Sequence, residues 1–356
     1  MSLSNDGAEA HLYLKNPWEN NSNQVWLSST LSIFRNIDKF NFPSKLNTDK
    51  QKTIINLAST PLLNYQKLSN PSLIHAEEMD PLDKEYLTEH FLSSEGFYQA
   101  HAGEAFVIDR TGKFLATINI HDHLRLTIMD STGEIENRWN ELVELETTLG
   151  ESLKYSFSQR FGFLTSDPTT CGTGIEITVY LQLPALIHSE VIDDTLSRLV
   201  DENVTISGLH GSPTEVIGDI LMIKNNYTLG TTDEKTLTTI ENVTTKLVVK
   251  ENSQRAKLKS SDDSEIKDRV SRAFGILMHS YQIDAVEALN ALSLIKLGVD
   301  LNWITGTSIE ELNMLFFNCR RAHLIYQFEK NITQEELLHK RAEYIHNFLK
   351  SIELTI

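Results

Sequence analysis

The chain has 356 residues, 40% of them hydrophobic, and its 32 Lys plus Arg against 49 Asp plus Glu give a formal net charge of −17. This length supports two domains with real cores, and the acidity argues against nucleic acid as a partner, because such binding rests on phosphate neutralisation by clustered Lys and Arg. Cys171 and Cys319, the only cysteines, exclude a disulfide framework or a four-cysteine zinc site.

No run approaches a membrane span, and the polar start MSLSNDGAEA lacks the basic and apolar regions of a signal peptide, so a cytoplasmic protein without membrane attachment is expected. The acidity suits a basic partner, although solubility alone is the better account of it.

Residues 1–80 are mixed and proline-bearing and are predicted to form a small helical N-terminal subdomain entered by an extended lead. Residues 105–109, 114–120 and 124–129 alternate like neighbouring strands, with Asp109-Arg110-Thr111-Gly112 as the hairpin turn between the first two. Leu142, Leu145, Leu149, Leu153 and Phe157 recur at helical spacing, predicting a helix over 141–161. Strands and helices continue to Leu229, and a helix is predicted over 233–257. Residues 251–268, rich in Ser, Lys and Asp, mark the expected domain boundary.

No proline follows Pro213, and the last hundred residues read as helices. Ser308 with Glu311 and Thr333 with Glu336 form capping boxes, and Leu338, Ala342, Ile345 and Leu349 make an apolar stripe. The expected division is 1–80, an antiparallel α/β domain over 81–257, and an all-α domain over 258–356. The fold class is α+β.

Gly172-Thr173-Gly174 is a small turn that would let backbone N–H groups approach a ligand, and a strand-like run follows over 175–183. Such a turn is ordinary by itself, but here Leu164-Thr165 and Pro168-Thr169 precede it and Leu181-x-Leu183-Pro184 closes the run. Ser28-Ser29 through Arg35-Asn36, Asn119 with Asp122-His123-Leu124-Arg125, and Gly208-Leu209 with Gly211 and Glu215 stand at further characteristic places. So do Asp268-Arg269-Val270, Gly275-Ile276-Leu277 and Leu297-Gly298-Val299-Asp300-Leu301. From about Gln24 to the C-terminus the chain resembles the guanidino kinases, and within them the bacterial protein arginine kinases. The resemblance implies a guanidino-kinase fold: a small helical N-terminal subdomain, an antiparallel sheet flanked by helices, and an all-α C-terminal domain that dimerises.

A guanidino kinase moves the γ-phosphoryl group of MgATP onto a guanidinium nitrogen, which requires cations on the phosphates and carboxylates on the guanidinium. The nucleotide-type positions that the resemblance implies are Ser28, Ser29, Thr30, Ser32, Phe91, Arg125, Gly172, Thr173, Gly174, Glu176, Ser207 and Gly208. Four family arginines are Thr30, Ser32, Glu176 and Ser207 here, a family histidine is Phe91, and Arg125 is kept; Arg35 is kept too and reads as structural. Glu176 reverses a charge: two like charges about 5 Å apart at an effective dielectric of ~20 repel by roughly 3 kcal/mol.

The catalytic-type positions are His121, Asp167 and Ser212, in place of a carboxylate, a cysteine and a carboxylate. A phosphoarginine-sensing motif reads Leu337-Leu338-His339-Lys340-Arg341-Ala342, keeping Arg341 but replacing the leading Arg-Asp pair with Leu337 and Leu338. These exchanges predict a pseudokinase that works by protein binding or regulation. The implied partners are a zinc-binding activator protein and a second copy of the chain. No cofactor is expected, and MgATP is required only under the alternative of an active protein arginine kinase with an atypical site; a third possibility is a small-molecule binder using the vacated cleft. His121-Asp122-His123 contains metal-ligand types, but on a strand the two histidines share a face without Asp122 and make an incomplete site, so no metal is expected.

Overall fold

The computed structural model describes residues 14–19, 21–93, 101–199, 202–209, 216–261, 263–328 and 332–356. In chain order the first half holds β1 (Trp26–Arg35), α1 (Thr48–Leu63), β2 (Ser72–His75), α2 (Pro81–Glu89), β3 (Ala105–Ile108), β4 (Phe114–Ile118), β5 (Leu124–Asp130), α3 (Ile135–Gly150), and the short β6 (Phe157–Ser158) and β7 (Gly162–Phe163). Then come β8 (Ile175–Gln182), α4 (Pro184–His188), α5 (Ile192–Leu199), β9 (Val204–Gly208), β10 (Ile220–Asn225) and the long α6 (Asp233–Ser260). The C-terminal part holds α7 (Ser264–His279), α8 (Ala285–Asp300), β11 (Ile304–Thr305), α9 (Ile309–Asn318), α10 (Arg321–Gln327), α11 (Gln334–Phe348) and β12 (Glu353–Leu354).

Eight strands form one sheet in the order β2-β3-β4-β5-β1-β8-β10-β9, and every neighbouring pair is antiparallel. One face is apolar: Leu31 and Ile33 of β1 join Leu126, Ile177, Val179 and Ile223, and α1, α3 and α6 cover them. The other face carries the cleft. The α+β guanidino-kinase architecture expected from the sequence is the one found, with a helical C-terminal region that also includes the two-residue ribbon β11-β12.

Local expectations differ in three places. The first 80 residues contribute α1, as expected of a helical segment, but also β1, buried along all ten residues at the middle of the sheet, and β2. Its Ser-Ser-Thr-x-Ser run hides the strand, because all ten residues are buried and Ser29, on the apolar face, breaks the alternation that Ser28, Thr30 and Ser32 would otherwise show. The helix expected over 141–161 is α3, which starts earlier and ends at Gly150; Leu153 is buried beyond it, while Phe157 lies in β6 and is 61% exposed. The hairpin turn and both capping boxes form as read.

The third difference is the boundary segment, where α6 runs unbroken to Ser260 and α7 begins at Ser264. Inside it Glu251 is fully buried, accepts hydrogen bonds from the Ala185 and Leu186 amides at 3.0 and 2.9 Å, and meets Arg255 Nε at 2.7 Å. Charges that suggest a solvated linker instead satisfy the start of α4. Removing one partner of a buried pair leaves the other uncompensated, so Glu251→Ala is expected to cost about 3–5 kcal/mol, measurable as a lowered urea midpoint.

Candidate functional site

Antiparallel register determines which side chains share the cleft face. Ser32 stands between Thr127 and Glu176, Thr30 pairs with Thr178, and Thr178 pairs in turn with Lys224. Lys224 lies beside Thr205, while one pleat further on Tyr180, Met222 and Ser207 form the next row. Because side chains alternate across a strand, these rows all project to one side. They floor a cavity of about 870 Å³ whose other walls are α2, with Glu85 and Glu89, and the helical domain, with Val286, Leu289, Arg320 and Arg321.

At one end of the floor the Glu176 carboxylate accepts from Arg125 Nη2 at 2.9 Å and meets Lys224 Nζ at 2.5 Å. Arg125 also donates to Ser32 Oγ at 3.2 Å and lies 5.0 Å from the Phe34 ring. Burial by itself would push the Glu176 carboxyl up; Arg125 and Lys224 outweigh it and hold the group below the ordinary glutamate range. The reversed charge expected at position 176 is therefore neutralised inside the protein, and the triad has one positive charge left over.

Deeper in, Phe91 adopts a φ of +60° and stacks on Tyr180 with ring centroids 4.1 Å apart. Burial pushes the Tyr180 phenol up to about 12, opposed by its hydrogen bond with Thr30. Arg320 covers this stack, its guanidinium 5.1 Å from the Phe91 ring and 4.9 Å from that of Phe317. On the wall, Glu89 accepts from the Ala322 and His323 amides and from His323 Nδ1 at 2.6 Å, and Arg321 pairs with Glu85. His323 in turn contacts His90, and burial drives both imidazoles well below their usual range, so they stay neutral.

Of the positions singled out in the sequence, Thr30, Phe91, Arg125, Glu176 and Ser207 line this cavity, and Ser32 holds Arg125. Ser28 is buried, donating to the Asp130 carbonyl at 2.9 Å, and Ser29 points to the opposite side of β1. The glycine turn does not offer its first two amides as expected: Gly172 N donates to the Phe163 carbonyl and Thr173 N to that of Thr228. Gly172, at φ +110°, would place a Cβ 2.1 Å from the Thr228 oxygen, so close packing requires the glycine. Gly208 ends β9. Arg35 is structural, bound to Glu146 at 2.7 Å and to the Phe34 and Thr173 carbonyls.

His121 is exposed and its carbonyl accepts from Ser166 Oγ, while Asp167 caps the turn at residues 168–170 through the Thr169 amide and hydroxyl, which lower its pKa. Ser212 lies outside the described residues. His123 is enclosed, accepting from the Ile37 amide at Nδ1 and meeting the Asn41 carbonyl at Nε2, and no metal-binding cluster occurs among the described residues. Leu337 and Arg341 are interior to the helical domain, Arg341 donating to the Cys319 and Ile283 carbonyls, and the Leu338 carbonyl accepts from the Ile283 amide. Lys224, Arg320, Arg321, Glu85 and Glu89 were not singled out from the sequence. For Lys224 a signal exists, a charge inside an apolar strand; Glu85, Glu89 and Arg321 come from helices, and Arg320 from the turn before α10, whose placement only the fold decides.

A family model described as ATP:guanido phosphotransferase, C-terminal catalytic domain, matches residues 53–254, and one described as Protein-arginine kinase McsB C-terminal domain matches residues 263–355. The protein-arginine kinase of Chlamydia pneumoniae is 33% identical over 359 residues, covering 99% of each chain. That of Halothermothrix orenii is 33% identical over 324 residues, 90% of this chain and 92% of its own. Among solved structures, a lombricine kinase superposes with a TM-score of 0.58 at 18% identity, covering 71% of this chain and 72% of that one. A duplicated taurocyamine kinase from Schistosoma mansoni, with bound transition-state-analogue components, gives 0.58 at 22% identity over 78% of this chain and 41% of its own.

The sheet, the helical layer and the cleft between sheet and C-terminal domain define the fold of a guanidino phosphotransferase. Within that class, the chain belongs to the protein-arginine kinase family. No helix among the described residues is long and apolar enough to cross a membrane.

Glu176 is charged in the folded protein down to a lower pH than the ~4.3 of an ordinary glutamate, so its contacts stabilise the fold above that value and cease to do so as the pH falls through the folded pKa. Glu176→Gln is therefore expected to lower the urea midpoint at pH 7, with the difference from wild type closing below about pH 4.

Proposed function

We propose that the protein is a non-phosphorylating member of its family that acts by binding. The observation that carries this reading is the Glu176 carboxylate held between Arg125 and Lys224 at the floor of the cleft. A nucleotide triphosphate needs several cations aimed at its oxygens. Among the described residues four cations and three carboxylates line the cavity, an excess of one charge, and the resemblance implies that Glu176 takes the place of an arginine that would counter the nucleotide phosphates. The residues present do not fit MgATP. The acceptor side points the same way, since His121 is solvent-facing and Asp167 is engaged in capping its own turn.

The binding partners that go with this reading are a zinc-binding activator protein and a second copy of the chain through the helical domain, in the cytoplasm. The comparisons favour a second reading, an active ATP-dependent protein-arginine phosphotransferase: relatives alike along 99% of this chain bear that name, and Lys224, Arg320 and Arg321 bring cations that replace part of what the family positions lack.

Incubating the purified chain with MgATP and an arginine-rich protein separates the two. We expect no acid-labile phosphate on arginine and no saturable heat on titration with MgADP to millimolar concentration. Phosphoarginine that forms with the wild type and disappears in Arg125→Ala would establish the second reading.

A further inference from the structure

The cavity has a direction that a nucleotide site does not require. Its charged end is the row of Thr127, Ser32 and Glu176, with Arg125 and Lys224 on the carboxylate. Two residues along the strands, Thr30 and Thr178 offer hydroxyls; two further, Tyr180 and Met222 begin a largely apolar end that Ile217, Leu209 and Leu289 complete, where the charge of Arg320 over the Phe91 ring is offset by Glu89. At about 3.3 Å per residue, the four residues from Glu176 to Tyr180 span roughly 13 Å. Val286, 44% exposed, stands at the rim of the apolar end.

We propose that this cleft binds a rod-shaped small molecule carrying one anionic group on an apolar body, such as a medium-chain carboxylate. The anionic head sits beside Lys224 and Arg125, where the triad retains a single positive charge, and the body runs past the threonine hydroxyls to Met222, Ile217 and Leu289. Charge sets the class. One excess cation balances a monoanion, and a second negative charge on the same head would face Glu176 without a counter-ion. Size agrees, because a volume near 870 Å³ lies within the ordinary range for small-molecule sites and leaves room for the chain of such a ligand. The inference rests on reading the cleft as a binding site without phosphoryl transfer.

The test is calorimetric titration of the full chain with decanoate below its micellar concentration, on wild type and on two variants at opposite ends. Lys224 and Val286 are both part-exposed, so Lys224→Met and Val286→Glu leave the core intact, and a melting curve for each verifies this. Saturable binding that weakens about tenfold or more in each variant, and that inorganic phosphate does not displace, is the expected result. No saturable binding to the wild type, unchanged binding in either variant, or displacement by inorganic phosphate each overturns the proposal. Phosphoarginine formation in the assay above would remove the non-phosphorylating reading by itself, while the decanoate titrations would still decide whether the cleft takes an amphiphile.

Discussion

The structure depends on β1 being buried on both faces at the centre of the sheet. A central strand has its backbone polar groups paired by β5 and β8, so its side chains alone decide what each face can do. Leu31 and Ile33 anchor the apolar layer under α1, α3 and α6. Ser28, Thr30 and Ser32 turn the other way, and each hydroxyl has work: Ser28 on the Asp130 carbonyl, Thr30 on Tyr180, Ser32 on Thr127 and Arg125. Of the three, Thr30 also lines the cavity.

The floor charges follow from the same register. With Ser32 beside Glu176 and one strand between Arg125 and Glu176, the two long side chains meet over β1. Lys224 arrives from β10 on the far side, diagonal to Glu176. A lone carboxylate in this part-buried setting would be driven toward its neutral form; between two cations it is driven toward the charged one. The carboxylate that looks most hostile to an anion in the sequence is thus neutralised by the fold, and what remains is a site of modest net charge rather than a repulsive one.

The helical domain is tied to the sheet by a polar seam as well as by packing. Lys296 Nζ donates to Gln182, Asn290 accepts from the Gly218 amide, and Arg255 reaches both Glu251 and Asp300. Across the cleft, Glu89 caps the start of α10 and holds His323, whose ring contacts His90 among Trp18, Tyr86 and Phe317. Buried polar contacts of this kind fix one relative placement, because any sliding would leave charges unpaired. The cavity walls are therefore set in part by contacts behind the lining, such as Lys296 on Gln182 and His323 on His90.

Much was legible in the chain alone. Residues 163–184 and the separated motifs carried the family and with it the fold, since glycines such as Gly172 are held by backbone contacts that leave no room for a Cβ. Alternation marked β3, β4 and β5, and the capping boxes marked α9 and α11, because those signals are local. What pairs across the sheet is not local. That β1 is a central strand, that the Gly172 and Thr173 amides are already spent on Phe163 and Thr228, and that Glu251 is a buried cap rather than part of a linker were decided by tertiary packing. So was the character of the cleft: Lys224 on Glu176 and Arg321 on Glu85 join residues far apart in sequence, and charge neutralisation depends on distance in space, which residue order does not specify.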